Sequence, residues 1–306
     1  MCIFIWKNIL RDWEEKSLNL LALKLIMTDL EKRIFFSENG YLLIPGILSV
    51  DEVLFMRKRV LEVFENGEWK KSKYSTEKVL SEIYDYFPEF IKITLSQKVL
   101  HEIKNVLGEN PILMPETAIH HKFYPGWHKD TTSQERAGYN FHLKPESLMM
   151  EAGFYLQDND EFGGGLTVMK GSHKTSDNFA FQKEKKRTLL TRIKNRLMPV
   201  DEKDNQDINP YKHEIVEIPS KVGDLVFFNL KTNHRASLPK KIKIEDIPKE
   251  KEKLAFFNAF SSNNSTAIDY LNYIKSRPEP FYQSLHNKII SNDFGHWAKE
   301  TGFIVY

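Results

Sequence analysis

GDLVFFNLKTNHRAS, residues 223–237, contains a run of apolar and aromatic side chains that begins after a glycine and ends at the polar turn KTN. Such a run, bounded by Gly, Asp and Asn, is typical of a buried β-strand. His234 follows the turn, at a position where the end of a strand can present an imidazole to a site. The stretch therefore predicts a β-rich fold with a candidate functional histidine beside one strand.

Four further runs have the same character. They are rich in Val, Phe, Tyr and Leu and lie between Gly, Asn, Asp or Pro residues, which indicates short strands. Their spacing favours an antiparallel sandwich or barrel over alternating strand and helix units. The runs are LMMEAGFYLQ (148–157), GLTVMKG (165–171), HEIVEIP (213–219) and KLAFFNAFS (253–261).

The first hundred residues are more helical. In SVDEVLFMRKRVLEVFENG (49–67), Ser49 and Glu52 have the spacing of a capping box, and Gly67 marks the end of the helix. Residues 3–33 are predicted to form an amphipathic helix packed outside the domain, with a helix resting on a membrane as the alternative. Charged residues interrupt its apolar run before the roughly 20 residues that a membrane span needs. The predicted fold class is α+β, with a mainly β core and N-terminal helices outside it.

The composition limits the class of protein. The chain has 306 residues, 41% of them apolar, and a formal net charge of +2, which favours one large core and gives no indication of a nucleic-acid partner. We expect a single domain, with helical extensions over 1–34 and 263–306 around a core over 35–262. Cys2, the one cysteine, excludes an internal disulfide and a Cys-rich zinc site, and it suits a reducing compartment such as the cytoplasm.

Residues 180–212 differ from the rest of the core and are predicted to be a basic insertion. Seven basic residues lie between Lys183 and Arg196, against one acid, Glu184. Apolar residues recur within this segment at helical spacing, which predicts a basic amphipathic helix. Two interpretations stay open: a solvated insertion between strands, or a lid or docking face for an anionic substrate or a membrane surface.

A candidate metal site begins with His128 and Asp130, in YPGWHKDTTS (124–133). On a strand these two side chains would share a face, while Lys129 would point the other way. The tripeptide alone is common by chance, and a metal also needs a ligand from another part of the chain. His234 suits that role, whereas the other histidines are predicted to be surface or packing residues. Two imidazoles and one carboxylate are the facial triad of non-haem Fe(II) oxygenases.

Four blocks of the sequence occur in the order found in a known family. Beside WHKD, the chain has an opening block with a Pro-Gly turn before a capped helix, a Gly-rich turn followed by a Gly-Ser-His loop, and the strand that precedes the distal histidine. The chain resembles the phytanoyl-CoA dioxygenase family over about residues 35–260. The blocks are FFSENGYLLIPGILSVDEVLFMRKRVLEV (35–63), WHKD (127–130), FGGGLTVMKGSHK (162–174) and GDLVFFNLKTNHRAS (223–237).

The resemblance implies a double-stranded β-helix (jelly roll) and an Fe(II) ion held by His128, Asp130 and His234. It further implies 2-oxoglutarate and O2 as co-substrates, and hydroxylation of an unactivated carbon with release of succinate and CO2. The metal performs this chemistry, so the protein needs no general base and supplies geometry, dryness and a pocket. Related halogenases have a small residue in place of Asp130, so Asp130 favours hydroxylation.

The chain departs from the family at the co-substrate anchor. The family usually has an arginine about ten residues after the distal histidine, where it binds the far carboxylate of 2-oxoglutarate. No arginine stands there in this chain. Lys253 is the predicted substitute because it shares a strand face with small residues, and Lys251 is the next choice. Ser237 is predicted to add a hydroxyl contact.

The substrate is less well specified by the sequence. Trp127, Phe154 and Tyr155 are candidates for lining its pocket, although aromatic residues in a jelly roll often belong to the core. The basic insertion predicts an anionic small molecule, such as a phosphorylated, CoA-linked or lipopolysaccharide-like compound, with peripheral membrane contact. Two other functions stay open: a cupin-like hydrolase or isomerase that uses zinc or manganese, and a metal-free jelly-roll binding module. The sequence does not predict the oligomeric state.

Overall fold

The structure is a computed structural model and describes residues 27–71, 75–81, 83–175, 209–277, 298 and 300–305. The helices that lie wholly within these ranges are α1 (Asp29–Asn39), α2 (Val50–Glu65), α3 (Ile83–Tyr86), α4 (Ile91–Thr94), α5 (Gln97–Leu107), α6 (Thr132–Arg136) and α7 (Ser265–Ser276). The strands are β1 (Tyr41–Ile44), β2 (Val79–Ser81), β3 (Ile112–His121), β4 (Met149–Tyr155), β5 (Leu166–Met169), β6 (Ile215–Glu217), β7 (Leu225–Asn229), β8 (His234–Ala236), β9 (Leu254–Ser261) and β10 (Ile304–Val305).

The strands form two sheets. The larger sheet has the order β1-β7-β4-β9-β3-β10, with β2 paired to β3, and the smaller sheet has the order β6-β5-β8. The described pairings are antiparallel, apart from that of β10 with β3. The chain crosses from the larger to the smaller sheet between β7 and β8. This arrangement confirms the predicted α+β class and the jelly roll.

Strand β7 is apolar throughout because both of its faces are covered. Leu225 and Phe227 pack with helix residues such as Met56 in one core, and Val226 and Phe228 pack between the two sheets. Successive side chains on a strand point to opposite faces, so a strand between a helix layer and a second sheet needs an unbroken apolar run. The five runs predicted from the sequence each contain a strand, namely β4, β5, β6, β7 and β9.

Helix α2 covers the outer face of the larger sheet and begins as predicted. Ser49 accepts a hydrogen bond from the backbone N–H of Glu52, and the Glu52 carboxylate accepts one from the backbone N–H of Ser49. The helix ends at Glu65, and Gly67 follows with a φ of +69°, a conformation that costs glycine little. The predicted capping box and terminus are confirmed.

The N-terminal helix differs from the prediction. Thr28 forms a capping box with Glu31, so α1 begins at Asp29 and continues to Asn39, and the predicted helix end at residue 33 is wrong. The helix ends at Asn39 because Gly40 adopts a left-handed conformation (φ +79°), in which its N–H donates to the carbonyl of Phe36. Residues 3–26 of the predicted helix lie outside the described residues. None of the helices in the described ranges is long and apolar enough to cross a membrane.

The structure describes only parts of the predicted basic insertion and of the predicted C-terminal extension over 263–306. Of the basic insertion over 180–212, residues 180–208 lie outside the described residues. In the predicted C-terminal helical extension, α7 is present and residues 278–297 are outside the description. Ile304 and Val305 pair in parallel with Ile112 and Leu113 of β3. This short edge strand was not predicted from the sequence.

Candidate metal centre

Two reciprocal backbone hydrogen bonds hold the two candidate histidines side by side. The N–H of His128 donates to the carbonyl of His234 at 3.0 Å, and the N–H of His234 donates to the carbonyl of His128 at 2.9 Å. Residues that exchange both bonds lie opposite each other on one face of an antiparallel pair. The two imidazole centroids are therefore 4.3 Å apart, although the residues are a hundred positions apart in the chain.

Asp130 completes a group of three side chains able to hold a metal ion. Its Oδ1 lies 3.5 Å from Nε2 of His128 and 3.8 Å from Nε2 of His234. One ligand atom from each of the three residues falls within 4.8 Å of the other two. Two imidazole nitrogens and one carboxylate oxygen at this separation are the donor set of a facial triad.

The imidazoles are oriented by backbone carbonyls. Nδ1–H of His128 donates to the carbonyl of Gly126 at 2.7 Å, and Nδ1–H of His234 donates to the carbonyl of Thr232 at 2.9 Å. Because a carbonyl can only accept, each neutral ring carries its proton on Nδ1 and keeps the Nε2 lone pair. This outer hydrogen bond is the usual way in which proteins set the tautomer of a metal-binding histidine.

The turn between β7 and β8 is fixed by contacts with the start of β1. The Thr232 hydroxyl donates to the carbonyl of Gly40 at 2.9 Å. Gly40 has a φ of +79°, and a Cβ there would lie 2.4 Å from Nδ1 of His173. The position therefore requires glycine, both for its conformation and for the close approach. Through Thr232 this junction helps to set the position of His234.

The protonation states of His234 and Asp130 also suit a metal. Burial lowers the pKa of His234 from 6.5 to about 4, and the charge of Asp130 offsets only part of this effect. Burial raises the pKa of Asp130, but the charge of His234 and the hydrogen bond to His128 outweigh it and hold that pKa below 3.8. At neutral pH His234 is thus neutral and Asp130 is charged, the forms that bind a metal.

One oxygen of Asp130 indicates that the site suits a metal ion. Its Oδ2 is buried and has no hydrogen-bond partner. A buried carboxylate oxygen without a partner is costly unless a cation or an ordered donor meets it. Together with the two Nε2 lone pairs, this oxygen shows that the residues present fit a divalent metal ion such as Fe(II).

The structure corrects one detail of the predicted site. His128 and Asp130 do not belong to a regular strand, because His128 forms a single isolated bridge with His234. The predicted alternation nevertheless holds over these three residues. His128 and Asp130 line the cavity at the triad, whereas the Lys129 ammonium is turned away and donates to the carbonyls of Ser172 and Thr175.

A cavity of about 280 Å³ lies beside the triad, between the two sheets. Its apolar wall includes Phe228, Phe257 and Leu166, and Lys253 stands in it as well. Lys253 is only 3% exposed, and burial lowers its pKa from 10.5 to about 7. Its ammonium lies 5.5 Å from the ring centroid of Tyr124. A buried cation in the same cavity as the triad is suited to an anionic ligand.

The two other predicted co-substrate contacts lie elsewhere. Lys251 is on the surface, 3.5 Å from Asp160. Ser237 is buried, but its hydroxyl is 2.9 Å from the Thr167 hydroxyl and accepts a hydrogen bond from Asn159. These hydrogen bonds hold Ser237 against the smaller sheet. Its contact with a co-substrate stays a prediction.

The three aromatic residues predicted to line the pocket have different surroundings. Tyr155 lines the cavity, whereas Phe154 belongs to the core beneath the helices. Trp127 packs against Arg235, whose guanidinium carbon lies 5.2 Å from the centroid of the Trp127 ring. Because Phe154 and Tyr155 are neighbours on β4, the alternation of faces accounts for their different surroundings.

Three ionisable residues of the cavity wall were not predicted as site residues. His120, assigned to packing, lies against Phe257 at a centroid distance of 4.8 Å and also lines the cavity, as do Glu116 and Glu151. Burial raises the pKa of Glu151 well above 4.5, and the charges of Asp130 and Glu116 add to the effect. The signal that could have identified Glu151 is a glutamate within the otherwise apolar run LMMEAGFYLQ.

The fold and the triad together define a class. A jelly roll that encloses two imidazoles and a carboxylate is typical of non-haem iron oxygenases. The profile of a family described as phytanoyl-CoA dioxygenase (PhyH) matches residues 36–238. The match covers more than half of the chain, so the chain belongs to the phytanoyl-CoA dioxygenase family, one of the families of Fe(II)- and 2-oxoglutarate-dependent oxygenases, and the resemblance is confirmed. No curated protein matches the chain.

Solved structures share the fold at low sequence identity. The epimerase SnoN, in complex with Fe3+, alpha ketoglutarate and nogalamycin RO, has a TM-score of 0.53 at 13% identity, over 82% of this chain and 91% of its own. The carbocyclase SnoK from nogalamycin biosynthesis has a TM-score of 0.51 at 18% identity, over 78% and 85%. EctD from S. alaskensis, with 2-oxoglutarate and 5-hydroxyectoine, has a TM-score of 0.51 at 16% identity, over 78% and 76%. These likenesses concern the fold.

Proposed function

We propose that this protein is an Fe(II)- and 2-oxoglutarate-dependent dioxygenase that hydroxylates an unactivated C–H bond of a small molecule, with release of succinate and CO2. The observation that carries the proposal is the meeting of His128, Asp130 and His234 in a cavity that also contains the buried Lys253. Membership of the phytanoyl-CoA dioxygenase family supports the same reaction class. SnoN and EctD, which share the fold, were crystallised with the same co-substrate.

In this proposal the triad holds Fe(II) through Nε2 of His128, Nε2 of His234 and a carboxylate oxygen of Asp130. The carbonyls of Gly126 and Thr232 keep both imidazoles in the tautomer that binds metal. When bound, the iron activates O2 together with the keto acid and supplies the oxidising chemistry. The protein then has to position two ligands and exclude water.

Lys253 is proposed to bind the far carboxylate of 2-oxoglutarate. It is the one lysine or arginine on the described wall of the cavity, and a lone buried ammonium gains stability from an anionic partner. An ammonium provides a charge without the two-pronged geometry of arginine. The neighbouring Tyr124 ring adds a cation–π contact that restricts the head group.

The cavity wall is proposed to keep the reaction dry. Phe228, Phe257 and Leu166 belong to the apolar core between the two sheets and present their side chains to the cavity. A water-poor site strengthens the interactions of charged groups and limits side reactions. These side chains therefore act by packing, and the described wall need not supply a general base.

Hydroxylation is the proposed outcome because a carboxylate occupies position 130. A small residue there would leave a metal position for a halide, and Asp130 takes that position instead. The predicted anionic substrate and peripheral membrane contact depend on residues 183–196, which lie outside the described residues, so both remain proposals together with the cytoplasmic location. The small-molecule substrate itself is supported by the size of the cavity, about 280 Å³.

Uncoupled turnover tests the proposal without knowledge of the substrate. Purified protein with Fe(II), 2-oxoglutarate and air is expected to form succinate, and His234→Ala is expected to reduce the rate to background because it removes one of three ligands. His101→Ala is the matched control, since His101 is an exposed histidine whose side chain is 62% accessible. Formation of succinate at the same rate by His234→Ala would contradict the proposal, as would its absence in the wild type.

A further inference from the structure

A second cavity, of about 990 Å³, lies on the side of segment 128–130 that faces away from the triad. None of its described lining residues also lines the cavity at the triad. Lys129 contributes to its wall, whereas the neighbouring His128 and Asp130 line the other cavity. Lys231, in the turn between β7 and β8, lines the second cavity as well. This cavity therefore borders both segments that carry the triad, from the side opposite the triad.

The wall of the second cavity carries an excess of positive charge. Two of its bases are bound to neutral oxygens. The Lys129 ammonium donates to two backbone carbonyls, and the Arg33 guanidinium donates to the carbonyl and the side-chain oxygen of Asn105. The described lysines, arginines and acids of the wall are Arg33, Lys129, Lys174, Lys231 and Glu135.

Three of the lysines are close together, around His173. Burial is the largest cause that lowers the pKa of His173 to about 4, and the charges of Lys174, Lys231 and Lys129 each add to this effect. Burial also lowers the pKa of Lys231 from 10.5, and the charge of Lys129 adds to that lowering. Like charges in a partly buried cluster repel one another, and an anion between them offsets this cost.

Two of these lysines have no anionic partner in the described part of the chain. Lys174 and Lys231 form neither an ion pair nor a side-chain hydrogen bond with a described residue. Lys174 is exposed and Lys231 is half-buried. Glu135, the one acid of the described wall, is already engaged, because its Oε1 lies 3.3 Å from Nε2 of His142. The second cavity therefore offers two ammonium groups to an anion.

Apolar side chains form much of the remaining wall. Phe36 and Val106 belong to the core that α1 and α5 share, and Leu148 packs against the same core. Tyr139 and Leu143 also line the cavity, although they are 38% and 58% exposed. A ligand with an apolar body covers such side chains and gains free energy from their burial.

We infer that the second cavity binds a phosphate monoester with an apolar body, and that Lys174 and Lys231 hold its phosphate. The inference goes beyond the proposed function and does not depend on it. A phosphate monoester carries roughly two negative charges near pH 7, which match the two ammonium groups, and lysine binds phosphate as a point charge. A carboxylate has one charge and would leave one lysine without a partner. Because the cavity is separate from the triad, this ligand is not the molecule that is oxidised.

Four probes test the inference: naphthyl phosphate, naphthol, naphthoate and inorganic phosphate. Each is titrated by calorimetry into the full chain, under anaerobic conditions with stoichiometric Fe(II) and an excess of 2-oxoglutarate. The ester is expected to bind about tenfold or more tightly than each of the other three. The reason is that only the ester combines a doubly charged group with an apolar body.

Variants of single lysines locate the binding site. Lys174→Gln and Lys231→Gln are each expected to lower the affinity for the ester about fivefold or more, because each removes a charge-assisted contact. Lys58→Gln, at an exposed lysine of α2, is the matched control and is expected to leave this affinity unchanged. Lys253→Met removes the cation of the cavity at the triad and is also expected to leave it unchanged.

Several outcomes would overturn the inference. One is an ester that binds no more tightly than any one of the other three probes. Another is an unchanged affinity for the ester in Lys174→Gln or in Lys231→Gln. A loss of affinity in Lys253→Met would locate the ester in the cavity at the triad and would also overturn it. If Lys231→Gln fails to fold, the exposed Lys174 and the four probes decide. Because the affinity for the ester is measured and not turnover, the proposed function can fail while the inference stands.

Discussion

Lys253 is a buried cation whose charge changes near neutral pH. Burial lowers its pKa from 10.5 to about 7, so the neutral amine predominates above that pH when no anion is bound. The ammonium form is the one proposed to bind 2-oxoglutarate, and binding above pH 7 must therefore take up a proton. The dissociation constant of 2-oxoglutarate is expected to rise about tenfold per pH unit well above pH 7, measured by anaerobic calorimetry with Fe(II) present.

Lys253→Arg is the matched variant for this pH dependence. A guanidinium stays charged over the accessible range, so its 2-oxoglutarate affinity is expected to be flat between about pH 7 and 9, without proton uptake. Calorimetry in two buffers of different ionisation enthalpy measures the uptake directly. An affinity of the wild type that does not fall with pH would argue against Lys253 as the anchor.

At the level of single residues, much of the candidate site could be predicted because the rules involved are local. The alternation of side chains predicts that His128 and Asp130 share a face, and a small-residue face predicts a place for Lys253. Glu116 was missed because its position depends on the irregularity between Leu113 and Thr117, which only strand pairing reveals. The third ligand, His234, could be proposed by elimination, but its contact with His128 needs the two-sheet fold.

Among the elements, α2 is connected to the loop that leads into β9. The Arg57 guanidinium donates to the carbonyl of Leu156 at 2.9 Å, and to those of Glu250 at 3.2 Å and Glu252 at 3.4 Å. Lys253 follows this loop directly. Arg57→Ala is expected to lower the free energy of unfolding by about 2 kcal/mol and to weaken 2-oxoglutarate binding several-fold, because the loop loses its donors.

Ser49→Ala provides the control in the same helix. Loss of the Ser49 cap is expected to cost about 1 kcal/mol of unfolding free energy, measured by urea denaturation. The 2-oxoglutarate affinity is expected to stay unchanged, since the Ser49 side chain forms its hydrogen bonds with Glu52 of the same helix. If both variants weakened 2-oxoglutarate binding to the same degree, the effect would reflect general destabilisation, and the positioning role of Arg57 would be refuted.

The helices and strands that follow from local signals were predicted well, and those set by tertiary contacts were not. The capping box of α2 and the apolar run of β7 are encoded by neighbouring residues. By contrast, β10 is only two residues long and exists because β3 offers it an edge. The predicted end of the N-terminal helix at residue 33 was wrong, because the helix continues to Asn39 and ends only where Gly40 adopts the left-handed conformation.

For the whole molecule, metal binding is expected to stabilise the fold because the ligands join distant parts of the chain. His128 and His234 connect the loop before α6 to the smaller sheet. At a concentration one hundred times its dissociation constant, a metal that binds only the folded state adds about 2.7 kcal/mol. Mn(II) is suitable for this test because it is expected to occupy the site without supporting turnover. Anaerobic thermal unfolding with Mn(II) is expected to show a rise in Tm of about 5 °C or more.

The same experiment on His128→Ala separates specific binding from general effects. This variant keeps the backbone pairing with His234 but lacks one ligand, so its Tm is expected to respond little to Mn(II). An equal rise in the variant would mean that the metal binds elsewhere.

The proposed function requires that His128, Asp130 and His234 hold Fe(II) with room for a chelating keto acid. Anaerobic titration of the protein with Fe(II) in the presence of 2-oxoglutarate measures this directly, because the chelated keto acid gives a visible metal-to-ligand charge-transfer band. The result expected is a band that saturates at one Fe(II) per chain, requires 2-oxoglutarate and is absent in His234→Ala. A wild-type protein without the band, or a band that persists unchanged in His234→Ala, would contradict the proposed function.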